Sequence, residues 1–146
     1  LDGSDIVYTA RVPVAKIIGL SVHIGTRFPA ISTSMGMVML ADLDSATLER
    51  VLKLPSNSGV IPRITPSRKQ IDLNLAKIRK QKWALSDEQL SYGVRSAAVP
   101  IHNIHGKTIA AINVTVNAAE TSLKMLTEKY LPLLIKTASD KQWKTQ

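Results

Sequence analysis

The apolar positions of this chain switch between two periods. Residues Asp5 to Val12, DIVYTARV, are rich in β-branched and aromatic side chains, and a second apolar run, Ile17 to Ile24, follows a bend at Pro13. Both read as strands. Thr33 to Leu43 is apolar with small residues, the pattern of a buried helix. Leu48, Val51 and Leu52 take the i, i+3, i+4 spacing of one helical face, with Asp44 or Ser45 as its cap. Proline, serine, asparagine and glycine between Pro55 and Pro66 predict a loop. Helical spacing returns at Ile71, Leu75 and Ile78, with Thr65 as cap and Pro66 in the first turn.

Trp83-Ala84-Leu85 reads as a short strand, and Ser86-Asp87-Glu88-Gln89 as a capping box over a single helical turn closed by Tyr92-Gly93. Val94 to His102 and Lys107 to Val116 flank the turn NIHG and form the strongest hairpin signal in the chain. In the second of these strands Ala110, Ile112, Val114 and Val116 share an apolar core face. Ile109, Ala111, Asn113 and Thr115 share the other, which meets solvent or lines a semi-polar cavity. A terminal amphipathic helix from Glu120 to about Asp140 carries Leu123, Leu126, Tyr130, Leu133 and Leu134 at helical spacing, with a kink at Pro132. Strands alternating with helices predict a mixed α/β (α+β) domain, its core aliphatic because only one Phe and two Trp are present.

Between the second run and the buried helix lies HIGTRFPAISTSMG, His23 to Gly36, with two glycines, a proline, an arginine and four hydroxyl side chains. It is either a plain loop or a segment built to hold something. Composition narrows the choice of partner. At 146 residues and 45% hydrophobic, residues 1–146 suit one domain with a real core. No apolar run is long enough to span a bilayer, so no membrane partner is expected. The absence of cysteine removes disulfides and thiolate chemistry, and a soluble cytoplasmic protein is the expectation. The chain opens at Leu1 in a turn running straight into a strand, as a fragment of a longer chain would.

The net charge of +8 is concentrated: Arg63, Arg68, Lys69, Lys77, Arg79, Lys80 and Lys82 face one acid, Asp72, between residues 63 and 82. These can cover the outward face of a helix whose inner face is Ile71, Leu75 and Ile78. A solvated helix face is the preferred reading, since no aromatic is interleaved to stack bases and no helix-turn-helix or zinc-finger pattern occurs. Catalytic sets are also missing. His102 and His105 form an H-x-x-H across a hairpin tip without further ligands nearby, and no G-x-S-x-G, P-loop or G-x-G-x-x-G is present. No enzyme activity, metal or cofactor is expected.

LDGSDIVYTARV, GTRFPAISTSMG, VMLADL, YGVRSAAVPI and GKTIAAINVTV follow one another in an order and spacing that resembles the effector-binding domain of IclR-family transcriptional regulators, over nearly the whole chain. GTRFPA followed by TSMG is similar to the branch that controls aromatic catabolism through the β-ketoadipate pathway, whose members answer to protocatechuate or 4-hydroxybenzoate. Lys16 and Met37 stand where that branch commonly has arginines, and Ser86 where many members carry an acid. The resemblance implies a GAF/PAS-like domain with a curved antiparallel sheet flanked by helices, here without its leading helix and first strand. It also implies a winged helix-turn-helix DNA-binding domain, absent from this chain, through which a homodimer or homotetramer would reach operator DNA.

Carried over by motif position, the family's effector cavity would be lined by Ile17 and Leu20, Ser34 and Met35, Ser86, Val94 and Ser96, and Asn113 and Thr115. Met35, Leu20 and Val94 would form the slot for a ring, and the first amides of the Thr33 helix with Ser34 a neutral anion site. Arg27 is a rival anchor for a carboxylate or a structural tie across its loop. Arg95 alternates away from Val94 and Ser96 and reads as structural. The expected ligand is a small organic, aromatic acid. A short keto acid such as glyoxylate or pyruvate, or an oligomerisation module with a vestigial pocket, are the alternatives.

Overall fold

The computed structural model describes residues 1–14 and 20–140. Lys16 and Ile17, singled out above, lie outside the described residues. The first strand, β1 (Asp5–Val7), pairs antiparallel with β2 (Arg27–Pro29), with Ile6 opposite Phe28. Both of those side chains are buried, and the Tyr8 ring meets Phe28 edge-on at 5.9 Å. The strand expected over Asp5 to Val12 is therefore shorter. Of the second strand expected, Ile17 to Ile24, residues 17–19 lie outside the described residues and 20–24 form no strand; the segment that pairs with β1 begins at Arg27. Gly25, at φ +89, supplies the left-handed turn that delivers Arg27 to its register.

A single 3-10 turn, Ala30–Ser32, leads into α1 (Ser34–Ala41). Thr33 is the N-cap, and its Oγ1 accepts from the Gly36 amide at 3.0 Å. Helix α1 is buried nearly all round because it packs on both the main sheet and the helix at Arg68–Gln81. Gly36 makes that possible: a Cβ there would stand 2.2 Å from the Ala30 carbonyl oxygen. Helix α2 (Ser45–Lys53) starts at the Asp44 cap as expected. Helix α3 (Arg68–Gln81) starts later than expected. Ser67, with Thr65 and Pro66 left in the loop, forms a reciprocal capping box with Gln70, and Ile71, Leu75 and Ile78 are its buried face.

The main sheet is antiparallel, in the order β3 (Ala84–Asp87), β4 (Val94–His102), β5 (Thr108–Asn117). The hairpin β4–β5 falls where its sequence signal placed it. Ser86-Asp87-Glu88-Gln89 does not form a helical turn. Ser86 and Asp87 pair with Ser96 and Arg95 in the ladder, and Glu88, at φ +54, opens the loop back to β4 while its Oε1 accepts from the Gly93 amide. The ladder hydrogen bonds across three strands outweigh a local capping preference.

Both faces of this sheet are covered. Leu85, Ala97, Val99, Ile112 and Val114 lie with the terminal helix, which buries Leu126, Leu131 and Leu134 there. That helix begins at the Ser122 cap as α4 (Leu123–Met125), widens into a π turn at Leu126–Tyr130, and continues as α5 (Leu131–Asp140). The Leu131 amide reaches back five residues to Leu126. Pro132, lacking an amide and crowding the preceding turn, accounts for the wider turn at the place a kink was expected. The opposite sheet face meets α1. Among the described residues no helix is long and apolar enough to cross a membrane.

Candidate ligand site

The face of the main sheet turned toward α1 is graded. Ala84, Ala98 and Asn113 form one cross-strand row, and Ser86, Ser96 and Thr115 form the next on the same face. The small alanines let α1 approach. The row of hydroxyls then lies at the start of that helix, where the Ser34 and Ser96 hydroxyls are 2.7 Å apart across 62 residues of sequence. Ser34, Ser86 and Ser96 are buried, yet among the described residues no buried side-chain polar atom lacks a partner. Along β5, Asn113 Nδ2 donates to Thr115 Oγ1 at 3.1 Å.

Five of the expected residues therefore come together: Ser34, Ser86, Ser96, Asn113 and Thr115. Met35 and Leu20 pack, partly buried, against the core cluster that includes α1 and Ala98. Val94 is buried one step along β4 from Ser96, on the same face. Tyr8 was not singled out by its sequence. Its hydroxyl bonds to Asn113, and burial pushes its pKa above the usual tyrosine value, opposed by the Asn113 bond and Arg11. The signal was present in DIVY, where Ile6 and Tyr8 share a strand face.

Arg27 is placed differently. Strand alternation puts it on the opposite face of the β1–β2 ribbon from Phe28 and the Tyr8 ring. Its Nη2 meets the Asp2 carboxylate at 2.8 Å and its Nε meets Asp5 at 3.4 Å. Asp5, almost fully buried, also accepts from Ser56 Oγ at 2.6 Å and the Asn57 amide at 2.8 Å. Of the two roles open to Arg27, this geometry favours the structural tie. Arg95 is likewise engaged away from the hydroxyl row, donating to Asp87 at 2.7 Å and to the Thr121 carbonyl at 2.7 Å.

The gathered groups are neutral. Two first-turn amides of α1 are taken by Thr33: Gly36 donates to its hydroxyl and Met37 to its carbonyl. Those of Ser34 and Met35 have no acceptor within the helix, which leaves a positive dipole end beside the Ser34 hydroxyl. Such an arrangement can bind a small acid by hydrogen bonds, with apolar side chains for its body. It contains no nucleophile with an adjacent base. Among the described residues no group of three or more His, Asp or Glu side chains could hold a metal ion.

Residues 1–143 match the family model described as bacterial transcriptional regulator IclR C-terminal. The chain belongs to this family. The IclR C-terminal domain described here is 32% identical over 141 residues to the Pca regulon regulatory protein of Pseudomonas putida, covering 96% of this chain and 48% of that protein. It spans about half the length of the curated relatives it matches. Among solved structures it is similar to a transcriptional regulator from Rhodococcus sp. RHA1, with 39% identity, a TM-score of 0.87, and coverage of 97% of this chain and 57% of that one. It is also similar to the inducer-binding domain of a PobR double mutant from Acinetobacter in complex with 3-hydroxybenzoic acid. There the identity is 31% and the TM-score 0.82, with 97% of this chain and 83% of that one covered. The mixed α+β fold with antiparallel strands is the one the family resemblance implied.

Proposed function

We propose that this domain is the effector sensor of an IclR-type regulator and binds a small hydroxylated aromatic acid of the protocatechuate or 4-hydroxybenzoate class. The observation that carries the reading is the likeness to an inducer-binding domain holding 3-hydroxybenzoic acid, combined with a neutral hydroxyl row beside a helix start. Ser34 and the first amides of α1 take the carboxylate. The Asn113, Thr115 and Tyr8 end takes the ring hydroxyl, and Met35, Leu20 and Val94 enclose the ring. Arg27 keeps its place on Asp2 and Asp5. Binding biases the arrangement of α1 against the sheet, and in the whole regulator this changes how a separate DNA-binding domain sits on its operator. The whole regulator acts in the cytoplasm as a homodimer or homotetramer, and the domain binds its effector without turning it over.

Calorimetry with protocatechuate, 4-hydroxybenzoate, glyoxylate and pyruvate tests this. Binding of one of the two hydroxylated aromatics with no heat from the keto acids is expected. Ser34→Leu replaces the hydroxyl that meets Ser96 with a bulky apolar side chain and should abolish that binding while the far-UV circular dichroism stays that of the parent. Unchanged affinity in Ser34→Leu, or heat only from glyoxylate or pyruvate, would sink the reading.

A further inference from the structure

A cavity of about 360 Å³, sharing no lining residue with the hydroxyl row, is bounded by β2, the 3-10 turn, α1, α2 and α3. Its apolar walls are Pro29, Ile31, Leu40, Val51, Leu52 and Ile71. The volume is within the range of small-molecule pockets, about 300–1,000 Å³. Helix α1 is a wall of both places: Ser34 at its start meets the hydroxyl row, and Leu40, about 1.7 turns on and about 120° around the helix, faces this cavity.

The polar groups at the rim define what could bind. Arg68 is tied to the protein by three hydrogen bonds, its Nη1 on Glu49 at 3.1 Å, its Nη2 on the other Glu49 oxygen, and its Nε on Asp72 at 2.9 Å. The Ser4 hydroxyl donates to the Pro55 carbonyl at 3.0 Å, and that of Ser56 donates to Asp5 at 2.6 Å. Neither has its proton left for a ligand. Lys53, also at the rim, forms no ion pair among the described residues; Glu49, whose pKa is lowered first by its Arg68 bond and also by the Lys53 charge, is already held by Arg68. Of the two cations at the rim, Arg68 is held in carboxylate pairs and Lys53 is in no ion pair among the described residues.

We infer that this cavity is a second ligand site, which takes an apolar ring system bearing a single carboxylate, with the ring against Leu40, Leu52 and Ile71 and the carboxylate at Lys53. Burying two rings against aliphatic walls supplies the affinity, and the charge-assisted contact to Lys53 orients the acid.

The probe is 2-naphthoate, with uncharged 2-naphthamide as its control, titrated into the 146-residue chain. One-to-one binding of 2-naphthoate is expected in the parent and, undiminished, in Ser34→Leu, because the two sites share no lining residue. Amide resonances of Ile31, Val51 and Leu52 should move, and those of Ser96 and Thr115 should not. Leu52→Trp should fill the cavity and remove binding. Lys53→Gln, at an exposed position that leaves the fold alone, should weaken 2-naphthoate about tenfold and erase its advantage over the amide. The inference is overturned if 2-naphthoate does not bind, if Ser34→Leu abolishes its binding, if the shifts map to β4 and β5, or if Lys53→Gln binds acid and amide as the parent does.

Discussion

A methyl group at position 36 has nowhere to go, since the three nearest atoms, all of the Ala30 backbone, would lie within 2.5 Å of it. Backbone cannot rotate away as a flexible side chain can. Gly36→Ala must therefore separate α1 from the 3-10 turn, at a cost of about 2–4 kcal/mol. Urea unfolding should show the loss, and a change below about 0.5 kcal/mol would contradict the close approach. Tyr8 makes a second residue-scale case. Burial raises its pKa above 10.0, so the folded state holds the phenol proton more tightly than the unfolded chain. Its contribution is fully present below the unfolded value and is lost as pH rises through the folded one. Stability should decline above pH 10 less steeply in Tyr8→Phe than in the parent, as read by urea midpoints; parallel declines would mean the hydroxyl is solvated.

At the scale of elements, α3 shows how a local signal sets a boundary. Ser67 Oγ accepts from the Gln70 amide while Gln70 Oε1 accepts from the Ser67 amide at 2.9 Å, satisfying two donors that the helix cannot. Ser67→Ala should cost about 1 kcal/mol, and Ser67→Asp should restore most of it. Equal stability of all three would show the box to be idle. The same distinction explains what could be read beforehand. Helices α2 and α3 follow from periodicity, α1 from an apolar stretch with small residues, and the β4–β5 hairpin from its turn residues, each within a single segment. Strand β2 was opaque because three residues ending in proline carry no period, and its pairing with β1 is decided by burying Phe28 against Ile6. Ser86 was assigned to a turn because its partners, Ser96 and Thr115, are defined by register and not by neighbours in sequence. Alternation alone placed Asn113 and Thr115 on a semi-polar face. That Ser34 would bond to Ser96 depends on α1 crossing the sheet at the alanine row, which only the assembled fold specifies.

Across the whole molecule the charge is less available than its total suggests. Of the basic residues between 63 and 82, Arg63 donates to the Glu88 carbonyl and lies 4.5 Å over the Tyr92 ring, Arg68 is held by Glu49 and Asp72, and Arg79 donates to the Ala41 carbonyl. These arginines tie α3 and its loop to the rest of the domain. Lys69, Lys77, Lys80 and Lys82 remain exposed on one side of the molecule, with no interleaved aromatic to stack a base. Such a surface can meet phosphates and cannot read sequence. The 146-residue chain should therefore bind duplex DNA weakly and without sequence preference, with log affinity falling by about 0.9 per decade of salt for each phosphate engaged. Fluorescence anisotropy with two unrelated duplexes at several salt concentrations measures both properties. Lys77→Glu with Lys80→Glu should lower affinity for both duplexes equally and flatten the salt slope. Tight binding that distinguishes the duplexes would place sequence recognition within this domain and contradict the division of labour in which sensing and DNA reading belong to separate domains.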